Sequence, residues 1–255
     1  MTQTLSATIE VQPIKTLLST LEKLSEEAIY EFSPSGLRIR VVCAQKFKMA
    51  DIWLKPDAFK TYECPETIKI GVVNDRIKDI TKTLTSKDIL TFDYTTDTEG
   101  IGKFALEANG MRRVVKLLRL EYMNEVSTIP EFSYSYSLTT SSKEVRDYLK
   151  ALGKTMAFDA ILRRSEGKSV LVWRSKNDDE PIEWSPDTSS DDSERDLTAS
   201  EVSSTTYTTS EVLAAVGATL RKQPMTLQGG QSVPLRAEWT PHDGFRVITL
   251  VANRE

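Results

Sequence analysis

Apolar and polar residues alternate along Ser6-Ala-Thr-Ile-Glu-Val11, the period of a half-buried strand. Pro13 suits the first turn of a helix. Ile14, Leu17, Leu18, Leu21 and Leu24 then recur at helical spacing and line one face. Ala28–Phe32, the turn Ser33-Pro-Ser-Gly36 and Leu37–Val42 predict a hairpin. The same order returns about 130 residues later. It runs through Tyr134–Leu138, a helix with Val145, Tyr148, Leu149 and Leu152, Ala157–Leu162, the turn Ser165-Glu-Gly167, and Val170–Trp173.

A second unit of this kind also occurs twice. Ile68–Val73 leads to a short helix with Ile77, Ile80 and Leu84, then to Ile89–Tyr94 and Gly102–Glu107. Its counterpart is Ser203–Tyr207, a helix with Val212, Leu213, Val216 and Leu220, then Met225–Gln228 and Val233–Trp239. Four strand–helix–strand–strand units predict an α+β chain of two similar domains, each with antiparallel sheets and two helices on one face. Chance likeness among short β-rich stretches is the competing account. At 255 residues the chain is long enough for two such cores.

The chemistry of catalysis is thin here. There is one histidine, His242, in a polar turn, and it is expected to be solvated. Cys43 and Cys64 do not make a disulfide framework and fit a reducing compartment. No CxxC or HxxxH spacing offers a metal site. Gly153-Lys-Thr155 and Gly167-Lys-Ser169 lack the glycine that a phosphate loop needs five residues earlier, where Tyr148 and Leu162 stand. The expectation is a protein that is not an enzyme, with no cofactor and no metal. No stretch approaches the ~20 apolar residues of a membrane span, and no leader pattern opens the chain.

Charge adds one feature. The chain carries 33 Lys+Arg and 37 Asp+Glu, a net −4. The four helical segments 13–23, 75–82, 143–154 and 211–222 nevertheless sum to +5, which leaves −9 elsewhere. Each helix alone reads as an ordinary solvated face. Together they suit loose contact with phosphates, without the Arg- and Asn-rich helix or stacked aromatics of a base reader. Such a face alone holds DNA poorly at physiological salt, so retention needs another device. Segment 176–196 has nine acidic residues against Lys176 and Arg195 and reads as a solvated loop; a cation site is the rival reading.

Glu27-Ala-Ile-Tyr-Glu-Phe-Ser-Pro-Ser-Gly-Leu37, Phe59-Lys-Thr-Tyr-Glu-Cys64, Ile70-Gly-Val-Val-Asn74 with Lys87-Asp-Ile-Leu-Thr-Phe92, Ile129-Pro-Glu131 and Val233-Pro-Leu-Arg-Ala-Glu-Trp239 stand in a telling order. With these, the chain resembles the sliding clamps of archaea and eukaryotes, the proliferating cell nuclear antigen family, over nearly its whole length. The resemblance implies a clamp domain at 1–117, a linker at 118–131 and a second clamp domain at 132–255. It implies a trimeric ring around duplex DNA that tethers DNA polymerase, a clamp loader and other clamp-binding-motif proteins. A homotrimer is expected and a heterotrimer is the alternative; the location is intracellular with the genome, in archaeal cytoplasm or a eukaryotic nucleus.

By residue, the resemblance places Lys15, Arg76, Lys78, Lys82, Arg146, Lys150, Arg221 and Lys222 toward DNA. Leu213–Leu220 departs from it, having no basic residue in the body of that helix. It assigns the partner-motif pocket to Val42, Phe47, Ile129, Pro234 and Leu250. Ser127 stands where an apolar residue is usual and Asn253 where proline is frequent. Met111–Leu117 and Ser169–Arg174 become edge strands pairing between subunits, with Met111, Val114, Val115, Val170 and Val172 at the interface. Read alone, both are simply apolar strands. The competing functions are a specialised subunit of a heterotrimeric or checkpoint-type clamp, and a duplicated β-rich structural protein with no DNA role. A carboxylate-dependent nuclease stands further off.

Overall fold

Each hydrophobic period becomes a strand or a helix in the computed structural model. It describes residues 4–97, 101–126, 128–153, 155–165, 168–177, 179–186, 196–199, 202–220 and 222–254. These residues fall into two compact units: 4–44, 50–128 and 240–247 in the first, and 45–49, 129–239 and 248–254 in the second.

The first unit contains β1 (Thr4–Glu10), α1 (Val11–Leu21), β2 (Glu27–Ser33), β3 (Gly36–Val42) and most of β4 (Lys48–Leu54). After them come β5 (Thr61–Glu63), β6 (Ile68–Val73), α2 (Asn74–Thr81), β7 (Ile89–Thr96), β8 (Gly102–Ala108) and β9 (Met111–Val115). The second holds β10 (Tyr136–Ser141), α3 (Ser142–Ala151), β11 (Ala157–Ser165), β12 (Lys168–Ser175), β13 (Glu183–Trp184) and β14 (Asp196–Ala199). Next in it are β15 (Ser203–Thr208), α4 (Thr209–Val216) and β16 (Pro224–Gly229). β17 (Leu235–His242) and β18 (Phe245–Val251) contribute residues to both units.

Strand order makes the duplication explicit. The order β5-β1-β7-β8-β9 in the first unit is matched by β14-β10-β16-β17-β18. The order β4-β3-β2-β6 is matched by β13-β12-β11-β15. The ladders of β1 with β5 and β7, of β10 with β14 and β16, and of β2 with β3 and β6 are antiparallel. So are those of β11 with β12 and β15, and the pairs β7–β8, β8–β9, β12–β13 and β16–β17. The chain even leaves its last strand alike in both halves. Leu118 donates its N–H to Gly71 O at 2.8 Å across β6, and Arg254 donates to Thr206 O at 2.8 Å across β15.

Helix starts follow local chemistry. α1 begins at Val11, two residues before Pro13, because proline's missing N–H costs nothing in the first turn. Val11, expected as the end of a strand, is thus buried helix. In α3 Ser141 caps the start, its Oγ accepting from Lys143 N at 3.3 Å. Asn74 opens α2 and is buried; its Oδ1 accepts from Tyr30 Oη at 3.0 Å and its Nδ2 donates to Ser25 O at 2.9 Å. The β2–β3 turn requires glycine at Gly36, whose φ is +118° and where a Cβ would lie 2.1 Å from Leu54 O.

The core of the first unit gathers Phe32, Phe92 and Phe104, with Phe92 stacked on Phe104 at 5.9 Å. Ile14, Leu17 and Leu21 of α1 and Ile77 of α2 are buried with it, and α1 packs beside α2. In the second unit Tyr148, Phe158, Trp173 and Tyr207 form the aromatic core, and α3 packs beside α4. β4 carries a buried acid, Asp51. Arg38 grips it with two hydrogen bonds at 2.9 and 2.6 Å, and Arg40 Nε lies 3.5 Å away. Both cysteines are buried and unpaired with each other. Among the described residues no helix is long and apolar enough to cross a membrane.

Candidate functional site

The helices carry less charge than their sequence segments promised. Over α1–α4 as folded, six cations stand against five carboxylates, a net +1. Lys82 and Lys222 lie outside the helices, and Arg221 is outside the described residues, as is Lys154. Leu213 does belong to α4, yet that helix ends at Val216, holds Glu211 and has no Lys or Arg. Glu211 binds Lys48 at 2.7 Å. The expectation of four basic helices is corrected accordingly; helix ends that sequence reading extended by several residues supplied the excess.

Several remaining cations are already engaged. Lys15, half-buried, donates to Leu84 O at 2.6 Å; Arg146, also half-buried, donates to Thr219 O at 2.9 Å. The two are equivalent. Each is the fifth residue of its helix and each reaches the eleventh residue counted from the start of the neighbouring helix. Both thus place positive charge at the end where a helix dipole is negative. Lys78 pairs with Glu22 at 3.0 Å, Lys82 with Asp79 at 2.8 Å and Lys143 with Asp147 at 2.5 Å. Those lysines hold Glu22, Asp79 and Asp147 below the usual carboxylate range. Arg76, Lys82, Lys150 and Lys222 are the exposed members of the set expected to face DNA.

β9 is the outermost strand of its sheet. Met111 and Val114 are 49% and 64% exposed, large apolar side chains open to solvent, whereas Val115 is buried. Arg112 pairs with Asp93 and Glu107 at 3.2 Å, and Arg113 with Asp79 at 3.5 Å. β12 differs from its expectation as an edge strand. β13 borders it through Trp173↔Trp184 and Arg174↔Glu183, and Val172 is buried. Val170 is half-buried. The outermost strand there is β13, which its two-residue length hides from periodicity.

The residues expected to form a partner-motif pocket distribute as follows. Val42 ends β3 in the first unit and is half-buried. Phe47, Ile129 and Pro234 belong to the second unit and are half-buried, and Leu250 of the same unit is buried. Ser127 lies outside the described residues. The start of the segment expected to be a linker is strapped to the first unit. A Cβ on Gly71 would lie 2.3 Å from Met123 Sδ, Lys69 meets Glu125 at 2.5 Å, and Arg40 Nη1 donates to Val126 O at 3.5 Å.

His242 is not a solvated turn residue. It closes β17, half-buried, with its ring 6.3 Å from Phe245 and its Nε2 buried without a hydrogen bond among the described residues. Burial pushes its pKa down, against the opposing pull of Glu10 and Asp243. Of the nine acidic residues in that run, Asp178, Asp187, Asp191, Asp192 and Glu194 lie outside the described residues. Among the described residues no three His, Cys, Asp or Glu side chains gather as a metal site.

Residues 6–127 match the N-terminal domain of proliferating cell nuclear antigen. A DNA polymerase sliding clamp of Methanococcoides burtonii is 25% identical over 166 residues, 65% of each chain. That match spans slightly less than two thirds of the relative. The clamp of Pyrococcus furiosus is 23% identical over 239 residues, 93% of each chain. Among solved structures, A. fulgidus PCNA bound to the C-terminal region of FEN-1 aligns with a TM-score of 0.85 at 18% identity, covering 98% of both chains.

Proposed function

We propose that the protein is a DNA sliding clamp, since residues 6–127 match the N-terminal domain of proliferating cell nuclear antigen and the whole chain has the fold of solved clamps. The observation that carries the reading is the duplicated strand order, matched over the full length of a clamp. The clamp domains we assign are 1–117 and 132–255, with 118–131 as the linker.

In this reading three chains close head to tail into a ring, β9 of one copy pairing with the β12–β13 edge of the next. A heterologous contact that closes by rotation leaves no free edge. Charge lends the pairing modest support: Lys116 follows the first edge and Asp179 and Glu180 precede the second, while Arg112, Arg113 and Glu183 are engaged within their own units. DNA is held by encirclement, so a net helical charge of only +1 suffices. Arg76, Lys82, Lys150 and Lys222 touch phosphates, while Lys15 and Arg146 hold helix ends. Phe47, Ile129 and Pro234 receive the motif of polymerase, loader or other partners. The protein acts as a scaffold without catalysis of its own, beside the genome.

Retention on DNA tests this. Once loaded, the protein stays on nicked circles and runs off linear duplex with free ends; equal release from both refutes topological linkage.

A further inference from the structure

An edge strand that must pair with a neighbour has to be presented in a fixed place. β13 has only two residues and two register pairs, too short a ladder to hold itself. In the first unit the strand at the same position, β4, has seven residues. The second unit replaces ladder length with an aromatic anchor. The Trp184 ring lies 5.1 Å from Trp173 at 69° and 5.9 Å from Tyr148 of α3 at 30°. Trp173 is fully buried and packs on Phe158 at 4.7 Å.

Among the described residues the polar contacts around the strand are few, and one is long-range: Tyr148 Oη donates to Ile182 O at 3.5 Å. Ser175 N donates to Ile182 O at 2.9 Å, Ile182 N donates to Ser175 Oγ at 2.8 Å, and Ser185 Oγ donates to Leu171 O at 3.0 Å. The Arg174–Glu183 pair, at 3.5 Å, is half exposed on both sides and adds little. We propose that Trp184 is a positioning residue for ring closure: seated between Trp173 and Tyr148, it holds β13 where a second copy's β9 can pair with it. The proposal rests on the ring reading above. It also ties the subunit edge to α3, the helix that carries Lys150, through the Tyr148 ring.

The test compares wild type, Trp184→Ala and Trp184→Phe by sedimentation equilibrium and by hydrogen exchange of amides 182–185. In Trp184→Ala, exchange in this segment speeds at least tenfold and self-association weakens at least tenfold, while β11 and β12 keep wild-type protection. Trp184→Phe restores both to within threefold. Unchanged exchange at 182–185 overturns the anchor. Equal loss of protection across β11 and β12 does too, since Trp184 would then be an ordinary core residue. Faster exchange without weaker association, in an oligomeric wild type, overturns the positioning role. A wild type that stays monomeric at all concentrations overturns the ring and with it the positioning role, while the exchange measurement still decides whether Trp184 anchors β13.

Discussion

Replacing Val114 by glutamate should dissociate the ring while leaving the chain folded. Val114 sits on the outermost strand β9 and is 64% exposed in the single chain. Fully burying a valine side chain stabilises by about 1.5–3 kcal/mol, so covering the open part is worth about 1–2 kcal/mol per interface. Glutamate forfeits that and adds a carboxylate whose burial without a partner costs at least about 1–3 kcal/mol more. The flanking arginines offer little rescue, because Arg112 is engaged by Asp93 and Glu107 and Arg113 by Asp79. The total, about 3 kcal/mol, corresponds to roughly 100-fold weaker association at each contact. Sedimentation equilibrium across a concentration series reads the shift from trimer to monomer. Thermal unfolding of the monomer should move by no more than about 0.5 kcal/mol, as for other exposed positions. An unchanged mass distribution, or a variant that fails to fold, would refute the placement of β9 at the subunit edge.

Reversing Arg76, Lys82 and Lys150 to glutamate should impair loading and processivity without changing oligomer mass. The slope of log affinity for duplex DNA against log salt should fall by about 0.9 for each phosphate no longer neutralised; an unaltered slope removes these residues from the DNA face. His242 sets a pH dependence. Its folded-state pKa is lowered by burial, so below about pH 6.5 the unfolded chain takes up the proton first. Its unfavourable contribution is absent above that pH and grows as pH falls toward the folded-state value. Melting temperature should therefore drop between pH 7.5 and pH 5, and His242→Gln should flatten part of that drop. A variant with the wild-type profile would discount His242.

Much of the fold was legible because its strands alternate and its helices keep a clean apolar face, as in Ser6–Val11 and in Ile14, Leu17, Leu18 and Leu21. β4 escaped detection for a physical reason. Its Ala50, Asp51 and Ile52 are all buried, and alternation is lost because two arginines make an aspartate tolerable in the interior. β13, two residues within the acidic run, and β14, four residues starting at its end, are below the length at which a period can be read. Side-chain destinations were less legible still. Nothing local in the sequence reveals that Lys15 reaches a carbonyl 69 positions away, or Arg146 one 73 positions away. Charge counted on a helix is therefore only an upper bound on charge offered to a ligand. That β9 would be an edge came from the family resemblance, since read alone it is simply an apolar strand, whereas the outer place of β13 required the sheet order.

The four tryptophans are unevenly shared. Trp53 belongs to the first unit, with Arg38 and Lys55 over its ring, while Trp173, Trp184 and Trp239 belong to the second. Intrinsic fluorescence of this molecule is consequently dominated by one of its two repeats. An emission-monitored melting curve reports chiefly that repeat, and calorimetry alongside it separates the two transitions without any introduced label.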